Sequence, residues 1–224
     1  MVHVVVFGGT GPSGQCVIEE ALSRNYTVTI YARNPSKLPS DITSSSSVSI
    51  VKGDLTDREA IRKALHGADV VLSTLGPSLS VTTAIQGLKR SGTPIADGYK
   101  IILDIMKEEG VKRLIALGTV SMGAKEDGHS ILTWGMVTAV WVFLHSAWKD
   151  VVAVGNTIKS AGDIDWTIAR VGKLTDGSGG KVNAGYIGKD SSRVFVSRKD
   201  LAKWMVDEFE NKNWIHRMPI VYSL

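Results

Sequence analysis

Val2-His3-Val4-Val5-Val6-Phe7-Gly8-Gly9-Thr10-Gly11-Pro12-Ser13-Gly14 follows the initial Met1. Residues 2–7 are apolar and largely β-branched apart from His3, and the run stops at glycine. A run that short, with no polar alternation, reads as a strand buried on both faces. Glycines 8, 11 and 14 stand three residues apart. From residue 15 to 24 the apolar positions recur at helical spacing, so the passage reads strand, glycine turn, helix.

The pattern repeats outward. Residues 26–32 read as a second strand, Asn34-Pro35-Ser36 as a turn, and residues 48–51 as a third strand after a serine loop. Residues 57–65 read as a helix with Thr56 as its N-cap, and 69–73 as a fourth strand. A helix over 94–109 ends at Gly110, and a fifth strand covers 113–117. Later come a sixth strand followed by the stretch Ala169-Arg170-Val171-Gly172-Lys173, a strand over 193–196, a helix over 200–210 and an edge strand over 219–222 opened by Pro219. Short strands alternating with helices predict a doubly wound α/β fold: a parallel sheet with helices on both faces. There is no internal repeat or long linker, so residues 1–224 are expected to form a single domain.

In such a sheet the first glycine of the turn permits the tight bend, the second lets the backbone approach a pyrophosphate, and the third lets helix pack on strand. The helix N-terminus then offers unpaired N–H groups to the phosphates. The expected phosphate contacts are Gly8, Thr10, Gly11, Pro12, Ser13 and Gly14. An NAD site places an acid at the end of the second strand for the ribose 2′-hydroxyl. Here Tyr31-Ala32-Arg33-Asn34 contains none, and Arg33 lies 19 residues beyond Gly14. A guanidinium suits a 2′-phosphate, Lys37 adds a second charge, and the expected cofactor is NADP(H). Gly53-Asp54-Leu55 after strand three and Leu75-Gly76-Pro77 after strand four stand at carboxyl ends of strands, where ligands of these sheets bind.

Lys and Arg number 26 against 22 Asp and Glu, and no block of five like charges occurs. The scatter argues against nucleic acid as a partner. The composition is 43% hydrophobic and 21% charged, which excludes a disordered chain. One cysteine, Cys16, excludes an internal disulfide and a cysteine metal site, and fits a reducing, cytoplasmic compartment. No metal site and no membrane span are expected, and the chain is expected to be a monomer or homodimer.

The glycine loop, the Arg33…Lys37-Leu38-Pro39 stretch, Gly53-Asp54, Leu75-Gly76 and Ser192-Arg193-Val194…Lys199-Asp200-Leu201 together resemble the atypical short-chain dehydrogenase/reductases. Within them the likeness is to the NmrA-like group that includes biliverdin-IXβ (flavin) reductases. The resemblance implies a Rossmann-type fold, NADPH binding and, in reductase members, hydride transfer to flavins or linear tetrapyrroles. It assigns Asp54 and Leu55 to adenine, Leu75 and Gly76 to the nicotinamide-side ribose, and Thr119 to the nicotinamide's neighbourhood. The chain departs from the standard Tyr-x-x-x-Lys pair: the nearest imitation is His145-Ser146-Ala147-Trp148-Lys149. Lys173 stands where the biliverdin reductase group carries a histidine.

Residues 131–147 contain no Asp, Glu, Lys or Arg, and Trp134, Trp141 and Trp148 are seven apart, as if on one helix face. Three readings stand: a wall for a flat hydrophobic substrate, a buried or oligomeric interface, and membrane contact. Insertion 121–149 and the glycine-rich loop 173–190, with Tyr186, are expected to cap a substrate. The expected activity is NADPH-dependent reduction of a hydrophobic carbonyl, quinone or conjugated molecule, the proton coming from Thr119, Ser121, His145, Lys173 or solvent. A non-enzymatic NADP(H) sensor, or an isomerase or cyclase reusing the fold, are the alternatives.

Overall fold

The structure is a computed structural model that describes residues 1–76, 92–177, 179–190 and 193–224. The strands are β1 (His3–Phe7), β2 (Thr27–Ala32), β3 (Val48–Lys52), β4 (Val70–Ser73), β5 (Arg113–Thr119), β6 (Asp165–Val171), β7 (Lys173–Thr175), β8 (Val182–Gly185), β9 (Phe195–Ser197) and β10 (Ile220–Ser223). Eight of them form one sheet in the order β3-β2-β1-β4-β5-β6-β10-β8. All neighbours are parallel except β10 and β8. β7 and β9 form a separate parallel pair. The order reverses between β1 and β4, which makes their carboxyl ends the switch point where such sheets bind ligands.

The apolar run of β1 serves both faces, as side-chain alternation requires. Val5 and Phe7 join a core under α3 (Arg58–Leu65), α4 (Pro94–Glu108) and α6 (His145–Lys159), with Tyr99, Ile102, Leu114 and Ile168. Val4 and Val6 join the opposite core under α1 (Pro12–Ser23) and α7 (Arg198–Asn211), with Ile18, Ile30, Leu201 and Met205. The remaining helices are the single turn α2 (Ser40–Thr43) and α5 (Ile131–Phe143). The doubly wound, Rossmann-type sheet is therefore present.

Several boundaries differ from the sequence reading. α1 starts at Pro12 rather than residue 15, since proline at a helix start gives up an N–H that has no partner anyway. Asp57, not Thr56, caps α3: its carboxylate accepts from the Ala60 N–H at 3.0 Å. Residues 131–159 form two helices, broken at Leu144 and bent by 119°. The second begins at His145, so Trp134 and Trp141 share α5 while Trp148 belongs to α6. The 173–190 segment contains β7 and β8 as well as loop. β10 is no edge strand, because β8 pairs along its outer side.

Candidate functional site

The turn after β1 has the stereochemistry its glycines require. Gly8 has φ +81°, and a Cβ there would stand 2.8 Å from the carbonyl carbon and from Oγ1 of Thr74. Thr74 Oγ1 donates to the Phe7 and Gly8 carbonyls at 3.3 and 3.2 Å, tying the turn to the end of β4. A Cβ on Gly14 would lie 2.3 Å from the Gly8 carbonyl oxygen, so only glycine lets α1 seat on the loop. Gly11 is different: a Cβ there meets nothing nearer than the Gly8 carbonyl oxygen at 3.5 Å, and its φ of −86° suits any residue. The protein's own packing does not demand glycine at that position.

Gly11 is also the N-cap of α1, with no side-chain cap and no acid in the first turn. Pro12 has no N–H, and the first-turn N–H groups of Ser13 and Gly14 have no partner within the helix. The result is a glycine-lined turn beside an uncapped helix N-terminus, the geometry that receives phosphate. Gln15 Nε2 donates to the Thr10 carbonyl at 3.4 Å and steadies the loop.

Beyond β2, Arg33 and Lys37 are both exposed, Lys37 on the short turn Pro35–Lys37. Asp54, also exposed, accepts from the N–H and the hydroxyl of Thr56 at 2.8 and 2.5 Å, both on Oδ1. Those bonds hold its carboxyl below the ordinary range, and the charge of Arg33 adds to the effect. Arg33 and Asp54 thus share one rim. Tyr31 underlies it: its hydroxyl donates to the Asp54 carbonyl at 2.6 Å and lies 2.3 Å from where a Gly53 Cβ would stand. Leu55 packs on Gly98 of α4.

Across the switch point, Leu75 is half-buried, and a Cβ on Gly76 would meet nothing within 4 Å. Pro77 lies outside the described residues. Thr119 is the last residue of β5, in register with Val171 of β6, and its Oγ1 accepts from the Ser121 N–H at 3.3 Å. No hydrogen bond among the described residues joins that pair to the other expected catalytic groups. Lys173 is an exposed residue of β7 held by its backbone N–H to the Val194 carbonyl. His145 is exposed, its ring stacked on Trp148 at 5.7 Å and edge-on to Trp141 at 5.9 Å. Tyr186, expected to reach a substrate, instead packs edge-on against Trp214 at 5.7 Å. The Trp214 carbonyl accepts from Thr167 Oγ1 in the first half of β6, away from the carboxyl ends. Trp134 and Trp141 are 72% and 50% exposed and form no closed wall.

One feature of the site escaped the sequence reading. Arg170, fully buried in β6, donates to both carboxylate oxygens of Asp127 at 2.6 and 2.7 Å, and its Nε donates to the Met218 carbonyl. Asp127 also accepts from the N–H groups of Ala124 and Ile187. Burial raises its pKa, but Arg170 and those N–H donors outweigh burial and hold the carboxyl below its ordinary range. This pair clamps the segment before α5 and the segment after β8 onto β6. Its signal was an arginine inside an otherwise buried strand, a charge that demands a partner.

A family model described as NAD(P)H-binding matches residues 8–212. An isoflavone reductase homolog of Solanum tuberosum is 31% identical over 116 residues, covering 49% of this chain and 33% of that protein. The chain thus spans about a third of that relative's length. A short-chain dehydrogenase/reductase of Veillonella parvula, solved in complex with NADP, superimposes with a TM-score of 0.79 at 15% identity, over 99% of this chain and 94% of that one. An anaerobilin reductase of Escherichia coli O157:H7 gives 0.74 at 18% identity, over 99% and 97%. At those identities the structural likeness speaks for the fold.

Proposed function

Because the chain belongs to the NAD(P)H-binding family, we propose that it is an NADPH-dependent reductase acting on a hydrophobic carbonyl, quinone or conjugated small molecule. The observation that carries the choice of NADPH is the end of β2, where exposed Arg33 and Lys37 stand and residues 31–34 hold no acid for a free ribose hydroxyl. The open side of Gly11 and the uncapped start of α1 support a pyrophosphate held by Thr10, Gly11, Pro12, Ser13 and Gly14. Asp54 and Leu55 would flank the adenine, and Leu75, Gly76 and Thr119 the nicotinamide half, with Pro77 continuing that stretch in sequence. When bound, the cofactor supplies hydride.

The protein's part is positioning. Arg33 would hold the nucleotide by its 2′-phosphate through charge-assisted hydrogen bonds. Thr74 holds the turn closed against β4. The Thr119 hydroxyl and that of Ser121 are the groups at the carboxyl end of β5 able to hand a proton to a substrate oxygen. Exposed His145 and Lys173 are the further candidates for that proton.

Calorimetry with NADPH and NADH, followed by cofactor oxidation with quinones, flavins and enones, tests the reading. Tighter NADPH binding and turnover of at least one acceptor is the expected result. NADPH binding without consumption by any acceptor would favour the sensor. Product formed without consumption would favour an isomerase or cyclase. Absence of NADPH binding would sink the proposal.

A further inference from the structure

Helix α5 presents an unusual surface to water. Residues 128–148 contain no Asp, Glu, Lys or Arg. A surface helix ordinarily buries an apolar stripe and turns charged residues outward. In α5 the inner side is Thr133, with Met136 and Val137 half-buried against Val120, Ile187 and Ile220. The outer side carries Ile131, Leu132, Trp134, Trp141, Val142 and Phe143, all 50–90% exposed. Exposed apolar residues scattered singly need no explanation, but a contiguous set on one helix marks an interaction surface.

The helix is too short to span a bilayer. Its 13 residues rise about 20 Å, against a hydrocarbon core of about 30 Å. α6 cannot lengthen it: the bend is 119°, and α6 is fastened to the core by Val151, Val154 and Ile158. Asp150 of α6 further accepts from the Ile95 and Ala96 N–H groups at the start of α4, at 3.1 and 3.0 Å. What remains is a helix that lies on a surface.

Charge selects the surface. Lys125 and Lys149 bracket the uncharged stretch. Lys189 is brought beside its start, because the Gly128 N–H donates to the Ile187 carbonyl at 2.6 Å and Gly188 abuts the His129 backbone. All three lysines are exposed and have no ion pair among the described residues. Of the neighbouring acids, Asp127 is paired with Arg170 and Asp150 is buried against the start of α4, while Glu126 and Asp190 are exposed and keep their charge, so the lysines outnumber the exposed acids three to two. A second copy docked by twofold symmetry would set this lysine rim against itself. An anionic lipid surface answers both the apolar face and the rim, and tryptophan favours that boundary.

We propose that α5 is an interfacial helix seating the protein on anionic bilayers, with Ile131, Trp134, Trp141 and Phe143 at the headgroup–acyl boundary and Lys125, Lys149 and Lys189 on the headgroups. The test is flotation of the full chain with vesicles of phosphatidylcholine alone and of phosphatidylcholine with phosphatidylglycerol. Wild type is expected to float with the mixed vesicles, with a blue-shifted tryptophan emission. Ile131→Glu/Phe143→Glu should partition at least ~10-fold less at an unchanged melting temperature. Lys125→Glu/Lys149→Glu/Lys189→Glu should also partition ~10-fold less, with the gap closing at high salt. Wild type that floats with neither vesicle overturns the proposal. So does uptake indifferent to phosphatidylglycerol. A dimer that Ile131→Glu/Phe143→Glu dissociates, without flotation, overturns it in favour of a second copy.

Discussion

The sharpest consequence concerns the Asp127–Arg170 clamp. Arg170 is fully buried and Asp127 is 17% exposed by side chain, so Asp127→Asn leaves a guanidinium in the interior facing a neutral amide. Breaking one partner of a buried, hydrogen-bonded pair typically costs about 3–5 kcal/mol, whereas exposed pairs contribute about 0–1 kcal/mol. For a chain of this size the larger figure lowers Tm by roughly 6–20 °C. The assay is urea unfolding followed by tryptophan fluorescence, wild type against Asp127→Asn. The sign with pH follows from the depressed carboxyl. A group whose folded pKa lies below its unfolded one stabilises fully above the unfolded value, here near 3.8, and loses that contribution as pH falls through the lower folded value. The difference between the two proteins should therefore be constant from about pH 8 to pH 5 and close only below about pH 4. A loss under about 1 kcal/mol at pH 7 would refute a buried pair. So would a difference that widens as pH falls.

Gly11→Ala separates ligand from fold: the added methyl meets no protein atom within 3.4 Å, and the poorer N-cap is offset by the lower entropy of the unfolded chain, so stability should change by less than about 1 kcal/mol while calorimetry shows NADPH binding weakened at least ~10-fold. Gly14→Ala does the opposite, since its methyl would stand 2.3 Å from the Gly8 oxygen; thermal unfolding should show a loss of about 1–3 kcal/mol. Arg33→Ala removes the contact to a 2′-phosphate and should weaken NADPH by about 10–100-fold with NADH unchanged, as read by calorimetry; equal losses for both would remove Arg33 from the phosphate site. Thr74→Val deletes the hydroxyl bonded to the Phe7 and Gly8 carbonyls and should cost about 1 kcal/mol in urea unfolding.

The glycine turn after β1 was legible because its stereochemistry is written in residue types. A positive φ at Gly8 and a Cβ-free contact at Gly14 can be met only by glycine, and both stand within 14 residues of the start. β1 was legible because it is buried on both faces and admits no polar interruption beyond His3, whereas the short strands β7 and β8 fall in a glycine-rich stretch that read as loop. Other features have no local signature. Phe143-Leu144-His145 holds no glycine or proline, so nothing in it announces the break between α5 and α6; the break follows from α6 being fastened to α4 through Asp150. Asp127 and Arg170 are 43 residues apart, and only the topology that lays the post-β5 segment over β6 brings them together. Thr56 and Asp57 are adjacent and both able to cap; Asp54 takes the Thr56 hydroxyl and leaves Asp57 for the helix.

These differences share a cause. The turn after β1 is built from backbone and from the absence of side chains at Gly8 and Gly14, so its parts sit close together in the chain. The half beyond β5 is built on segments that return late: Asp127, Arg170, Ile187 and Met218 meet at one guanidinium–carboxylate pair. Cross-linking the segments on either side of the β5 and β6 carboxyl ends through a single buried arginine fixes the base of α5 without specifying its outer face. That face is consequently free to carry six large apolar side chains, at no cost to the sheet or to the nucleotide rim. Mutating the clamp should then disturb the seating of α5 and leave the Gly8–Gly14 turn intact, because no hydrogen bond of the clamp reaches β1.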